Sequence, residues 1–213
     1  MKNSEAVKIG ARALWNRTKG WPVCVSFEVT HSCPAHCLHC DKGGIKSDPK
    51  LMSLEDYRRF SYTLKPSVCQ MSGGEPLLRE DLEDIVRAIK RPSGLPMVVC
   101  VSNWWLMTEE RFDSLDEAGV SLFSISLDFP DERHDEFRRL PGLFAKMNDI
   151  IPYLVKKHGR ERIVLNAALT HANFAEIPGL VAQAEKWGTQ ISFSAYSCLR
   201  TGDQSLCINE PAD

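Results

Sequence analysis

Cys33, Cys37 and Cys40 stand in the run His31-Ser-Cys-Pro-Ala-His-Cys-Leu-His-Cys40, a C-x3-C-x2-C triplet. Thiolates this close in sequence can bind a metal centre. Three is the informative number, because a [4Fe-4S] cube has four irons and thiolates are its usual ligands. Three protein ligands would leave one iron open to another molecule. The same triplet with a histidine would also serve zinc. His31, His36 and His39 crowd this loop and read first as hydrogen-bonding neighbours of the cysteines.

A second run, Ser72-Gly-Gly-Glu-Pro76, has its own logic. Adjacent glycines let backbone amides and carbonyls approach a ligand closely. An amino group bound there would be read by those carbonyls.

These residues need a frame. Strand and helix signals alternate along the chain. Strands are expected at residues 23–29, 68–71, 96–101, 121–127, 162–169 and 190–196. Helices are expected at 53–64, 80–90, 108–118, 143–157 and 178–187. Ser53 and Thr108 read as N-caps, Gly119 and Gly188 as stops, and Pro152 as a kink inside the fourth helix. Repeated βα units imply a parallel sheet with right-handed crossovers.

The strand faces choose between sheet types. Leu122, Ser124, Ser126 and Asp128 share one face of the fourth strand, opposite Phe123, Ile125 and Leu127. The first and last strands alternate in the same way. A doubly wound sheet is apolar on both faces, and a self-filled barrel is lined by Val, Ile and Leu. One polar face predicts instead an α/β (βα)6 partial TIM-type barrel. Its curved six-stranded parallel sheet would carry helices outside and a polar ligand inside. Residues 22–197 would form this core, residues 1–21 an N-terminal helical extension, and residues 198–213 a tail beginning a further extension. Each strand ends in a polar group, where α/β folds gather their ligands. These ends include the cysteine loop, the Gly-Gly-Glu run, Asn103, Asp128, Thr170 and Tyr196.

The 213 residues carry 26 basic and 28 acidic side chains, a net charge of −2. That balance gives no basis for a nucleic-acid partner. No apolar run approaches the length of a membrane span. Without an apolar signal core at the N-terminus, the cytoplasm is the expected compartment, and the eight cysteines read as ligands or buried thiols. Cys24, Cys69 and Cys100 lie in strands as small hydrophobes. Cys198 and Cys207, beyond the last strand, could begin an auxiliary cluster site. Glu28 lies on the polar face as a candidate substrate contact.

The cysteine triplet after the first strand and Gly73-Gly-Glu-Pro76 after the second together resemble the radical S-adenosylmethionine (radical SAM) superfamily. So do Val101-Ser-Asn103 and Ser124-Ile-Ser-Leu-Asp128, which are closest to its cofactor-maturation and peptide-modifying branch. The resemblance spans residues 22–197. It implies that Cys33, Cys37 and Cys40 hold a [4Fe-4S] cluster whose fourth iron takes S-adenosylmethionine. It implies that Gly73, Gly74 and Glu75 hold the methionine end. Ser126 and Asp128 would meet the ribose or carboxylate, and Asn103 and Asn166 would line the same pocket. It further implies an external flavodoxin- or ferredoxin-like electron donor and a small-molecule or peptide substrate. Three departures stand out: His39 precedes the third cysteine where an aromatic is usual, Trp104 follows Asn103 where glycine is usual, and no glycine-rich adenine contact is recognisable near the fifth strand. The residues by themselves leave open a zinc-binding structural protein and an iron–sulfur electron carrier.

Overall fold

The computed structural model describes residues 3–47, 50–199 and 201–208. The chain forms two compact units. The first gathers residues 3–32, 46–102 and 106–123. The second gathers 33–45, 103–105, 124–199 and 201–208.

In the first unit, helix α1 (Asn3–Thr18) precedes strand β1 (Cys24–Thr30). Helix α2 (Leu54–Leu64) opens on Ser53, whose hydroxyl accepts the Asp56 amide while Asp56 caps the Ser53 backbone in return. That reciprocal box satisfies two otherwise orphaned donors. Strand β2 (Val68–Gly73) pairs parallel to β1, with Glu28 opposite Ser72 and Thr30 opposite Gly73. Helix α3 (Leu82–Ile89) buries Leu82, Ile85, Val86 and Ile89 completely, at the 3–4 residue spacing of one helix face. Each such side chain contributes up to about 1.5–3 kcal/mol. Strand β3 (Met97–Ser102) pairs parallel to β2. Helix α4 (Glu109–Ala118) begins at Thr108, whose hydroxyl accepts the Arg111 amide, and ends on Gly119. Strand β4 (Val120–Ser126) begins in this unit, where Phe123 stacks on Phe112 at 4.2 Å.

In the second unit, helix α5 (Arg133–Arg138) was not expected from the sequence. Helix α6 (Leu143–His158) runs through Pro152 without interruption. Strand β5 (Ile163–Leu169), helix α7 (Ile177–Trp187) and strand β6 (Gln190–Ala195) follow, with β5 and β6 parallel. The hydrogen-bonded strand order is β1-β2-β3-β4-β5-β6, the order successive right-handed crossovers produce. Among the described residues, no helix is long and apolar enough to cross a membrane.

Candidate iron–sulfur and S-adenosylmethionine site

The cysteine loop leaves β1 and belongs to the second unit from Cys33 onward. Its backbone is held at both ends. Cys33 N–H donates to the Gly44 carbonyl at 3.0 Å, and Cys40 N–H donates to Cys37 at 3.3 Å. His36 and Leu38 donate to the last carbonyls of α5, those of Arg138 and Phe137, each at 3.2 Å. Helix C-terminal carbonyls lack partners within the helix, so α5 offers a ready rail for the loop.

Each thiol sulfur accepts a different N–H. Asn103 Nδ2 donates to Cys33 at 3.6 Å, Arg138 Nη1 to Cys37 at 3.9 Å, and the Lys42 amide to Cys40 at 3.4 Å. Sulfur is a weak acceptor as a thiol and a much better one as a thiolate. Burial pushes the Cys37 thiol above its ordinary pKa, and the Arg138 cation pulls the other way. Cys33 is buried, whereas Cys37 and Cys40 border a cleft of about 340 Å³ that His36, Asp41 and Arg139 also line. Three thiols with three N–H donors, two of the thiols bordering such a cleft, fit a thiolate-ligated cluster. Among the described residues, no three His, Cys, Asp or Glu side chains stand close enough to share a single metal ion. A cube takes one thiolate on each of three separate irons and does not ask them to.

Asp128 lies just past β4 and is completely buried. Its Oδ2 accepts Arg138 Nε at 2.8 Å and Nη2 at 2.7 Å, and its Oδ1 accepts the Ala168 amide at 3.1 Å. Burial would raise this carboxyl's pKa, but Arg138 foremost, with His134 and His39, holds it below the usual range. The Asp128 amide donates to His134 Nδ1 at 3.1 Å. That acceptor role requires a neutral ring, and burial, reinforced by Arg138, pulls the His134 pKa down to about 3. Asp128 is thus an inward-facing anchor for Arg138. Neither Arg138 nor His134 was singled out from the sequence, since arginine and histidine in a short helix read as surface.

The other second-unit residues divide. Asn103 is buried, with its Oδ1 accepting the Trp105 amide at 2.9 Å while its Nδ2 meets Cys33. Trp104 takes the left-handed conformation (φ 72°) that glycine favours, and its side chain is completely buried. The departure from Asn-Gly therefore keeps the turn and adds an apolar anchor. Asn166 Oδ1 accepts the Ser194 hydroxyl at 3.2 Å, and Ser126 is half-buried. His39 stacks on Phe137 at 4.9 Å, so the imidazole packs as an aromatic ring would. The Cys198 and Cys207 thiols are hydrogen-bonded neighbours, while residues 200 and 209–213 of the tail lie outside the described residues.

In the first unit, the glycine pair serves the chain itself. The Gly74 amide donates to Thr30 and the Glu75 amide to Ser32, both at 2.8 Å. A Cβ on Gly73, at φ 123°, would overlap the Thr30 carbonyl oxygen, and one on Gly74 would overlap that of Ser32. The close approach read from the sequence is made by the backbone that runs into Cys33. Glu75 is completely buried, its Oε1 accepting the Leu77 amide at 3.0 Å and the Ser102 hydroxyl at 2.8 Å. Glu28 stands half-exposed, 3.5 Å from His31.

A family profile described as the radical SAM superfamily matches residues 27–182. An AdoMet-dependent heme synthase of Methanosarcina barkeri (strain Fusaro / DSM 804) is 30% identical over 199 residues, covering 90% of this chain and 55% of that protein. Streptococcus suis SuiB bound to S-adenosylmethionine superposes with a TM-score of 0.73 at 16% identity, over 95% of this chain and 47% of that one. SuiB bound to the precursor peptide SuiA gives 0.72 at 16% identity, over 100% and 48%. The chain spans about half the length of these relatives. The fold is the expected α/β partial barrel of six parallel strands, and the expected cofactors, a [4Fe-4S] cluster and S-adenosylmethionine, are those the matched family uses. With the family profile covering most of its length, the chain belongs to the radical SAM superfamily.

Proposed function

We propose that the chain is the catalytic core of an enzyme that holds a [4Fe-4S] cluster on Cys33, Cys37 and Cys40 and binds S-adenosylmethionine at the remaining iron. When bound, these cofactors supply reductive cleavage of the sulfonium carbon–sulfur bond, giving a 5′-deoxyadenosyl radical that takes a hydrogen atom from the substrate. The observation carrying this reading is that each of the three sulfurs has its own N–H donor.

The chain's residues take three kinds of task. Asn103, Arg138 and the Lys42 amide offset thiolate charge. Gly73, Gly74 and Glu75 present the methionine-binding edge, with the glycines fixing it on Thr30–Ser32 and Glu75 holding the turn from inside. Ser126 and Asn166 meet the nucleoside or carboxylate, and Asp128 acts on the same pocket through Arg138. The electron comes from an external flavodoxin- or ferredoxin-like donor. The substrate is a small molecule or a peptide, the two classes that the names of the heme synthase and the SuiB–SuiA complex represent. A reducing compartment, the cytoplasm, suits eight free thiols.

The test is turnover of S-adenosylmethionine by anaerobically reconstituted, reduced protein. Wild type forms 5′-deoxyadenosine, and Cys33→Ala, Cys37→Ala and Cys40→Ala each abolish it. A cluster-loaded wild type that forms none contradicts the reading.

A further inference from the structure

We infer that Arg138 sets the electron affinity of the cluster from the side of Cys37, and that Asp128 holds it in place to do so. The inference rests on the reading of Cys33, Cys37 and Cys40 as a cluster site.

The guanidinium is divided between two partners. Nε and Nη2 lie 2.8 and 2.7 Å from Asp128 Oδ2, and Nη1 reaches 3.9 Å toward Cys37 Sγ. The Arg138 side chain is 8% exposed and that of Asp128 0%, so water screens neither charge effectively. The fork leaves Arg138 little freedom. Two of its nitrogens are fixed by a carboxylate that is itself fixed by the Ala168 amide at 3.1 Å. Arg138 also ends α5, and its own carbonyl accepts the His36 amide one residue before Cys37. Arg138 thus meets the cysteine loop with both its backbone carbonyl and its guanidinium.

Reduction adds one negative charge, from an external one-electron donor, to a centre already bearing three thiolates. A fixed cation beside one thiolate stabilises the reduced form more than the oxidised form. Hydrogen bonds to cluster sulfurs and local charge are two of the levers that set cluster potentials. Asp128 offsets part of this effect while holding the cation in position. The two residues therefore pull in opposite directions, which gives the inference a sign test.

The experiment is an anaerobic redox titration, followed by electron paramagnetic resonance and without S-adenosylmethionine. It compares wild type with Arg138→Gln, Arg138→Lys and Asp128→Asn, each with its iron and sulfide counted. At the wild-type midpoint, Arg138→Gln is expected to show a reduced-to-oxidised ratio lower by about tenfold, equivalent to about 59 mV for one electron. Arg138→Lys, which keeps the charge, is expected between that variant and wild type. Asp128→Asn, which removes the offsetting negative charge but keeps a side-chain carbonyl oxygen to accept from Arg138, is expected to move the midpoint up. A merely structural Arg138 would change how much cluster is held and leave the midpoint of that cluster alone. Midpoints equal to wild type in Arg138→Gln, or a downward move in Asp128→Asn, overturn the inference. A wild type that takes up no cluster overturns the underlying reading of the three cysteines instead.

Discussion

Gly74 has no room for a side chain because the Ser32 carbonyl oxygen occupies the space its Cβ would need. The contact is backbone against backbone, so no rotamer change relieves it. Ser32 is the residue before the first expected cluster ligand, and its carbonyl also accepts the Glu75 amide. Gly74→Ala is therefore expected to push the start of the cysteine loop away and lower cluster content several-fold. Iron and sulfide counted after anaerobic reconstitution check this. Gly73→Ala adds left-handed strain of about 1–3 kcal/mol to a similar clash and is expected to be at least as damaging. Normal cluster content in both variants would show that the loop does not depend on this packing.

Trp104 sits at a left-handed position that costs a bulky residue about 1–2 kcal/mol. Its side chain is completely buried, and removing a buried Trp costs about 3–5 kcal/mol. Burial is the larger of the two effects. Trp104→Gly is thus expected to destabilise the protein by about 1–4 kcal/mol despite restoring the residue the turn favours. Chemical denaturation of both proteins measures the difference, and a more stable variant would reverse the ranking.

His134 gives the fold an acid-sensitive element. Its ring is neutral because it accepts the Asp128 amide, and its pKa is pulled from 6.5 to about 3. Below pH 6.5 the unfolded chain binds a proton that the folded chain refuses. Stability is therefore lost as pH falls from about 6.5 toward 3, by at most about 1.4 kcal/mol per pH unit from this group. Asp128, with its pKa depressed chiefly by Arg138, keeps its contribution until lower pH. Denaturation midpoints of wild type and His134→Leu between pH 7.5 and 5.5 test this. The variant is expected to be less stable at pH 7.5 and to lose less as pH falls. Parallel curves would remove His134 from the account.

Much of the frame was legible because it rests on local chemistry. Ser53 and Thr108 were readable as caps, and the apolar spacing of Leu82, Ile85, Val86 and Ile89 announced α3. Helix α5 was not legible. It is six residues long, and its buried residues are His134, Phe137 and Arg138, two of which carry polar groups. Only the tertiary partners, Asp128 and the cysteine loop, make that burial favourable. The glycine pair was recognised as a close-approach element, but the Thr30–Ser32 backbone it meets lies some forty residues away in sequence. Pro152 lies inside α6, which continues through it with Ile151 and Leu154 buried on either side. The polar strand faces pointed to a ligand lumen, and β6 carries its serines on a largely exposed strand. Ser194 there bonds Asn166, which no spacing rule foretells.

The central claim is that Cys33, Cys37 and Cys40 hold a cluster with one iron open to S-adenosylmethionine. The most direct measurement is the electron paramagnetic resonance spectrum of the anaerobically reconstituted, reduced protein, with and without S-adenosylmethionine. The account predicts a [4Fe-4S]⁺ signal that shifts when S-adenosylmethionine is added and is lost in Cys37→Ala. A colourless protein carrying a single zinc ion, or a cluster signal indifferent to S-adenosylmethionine, would contradict it.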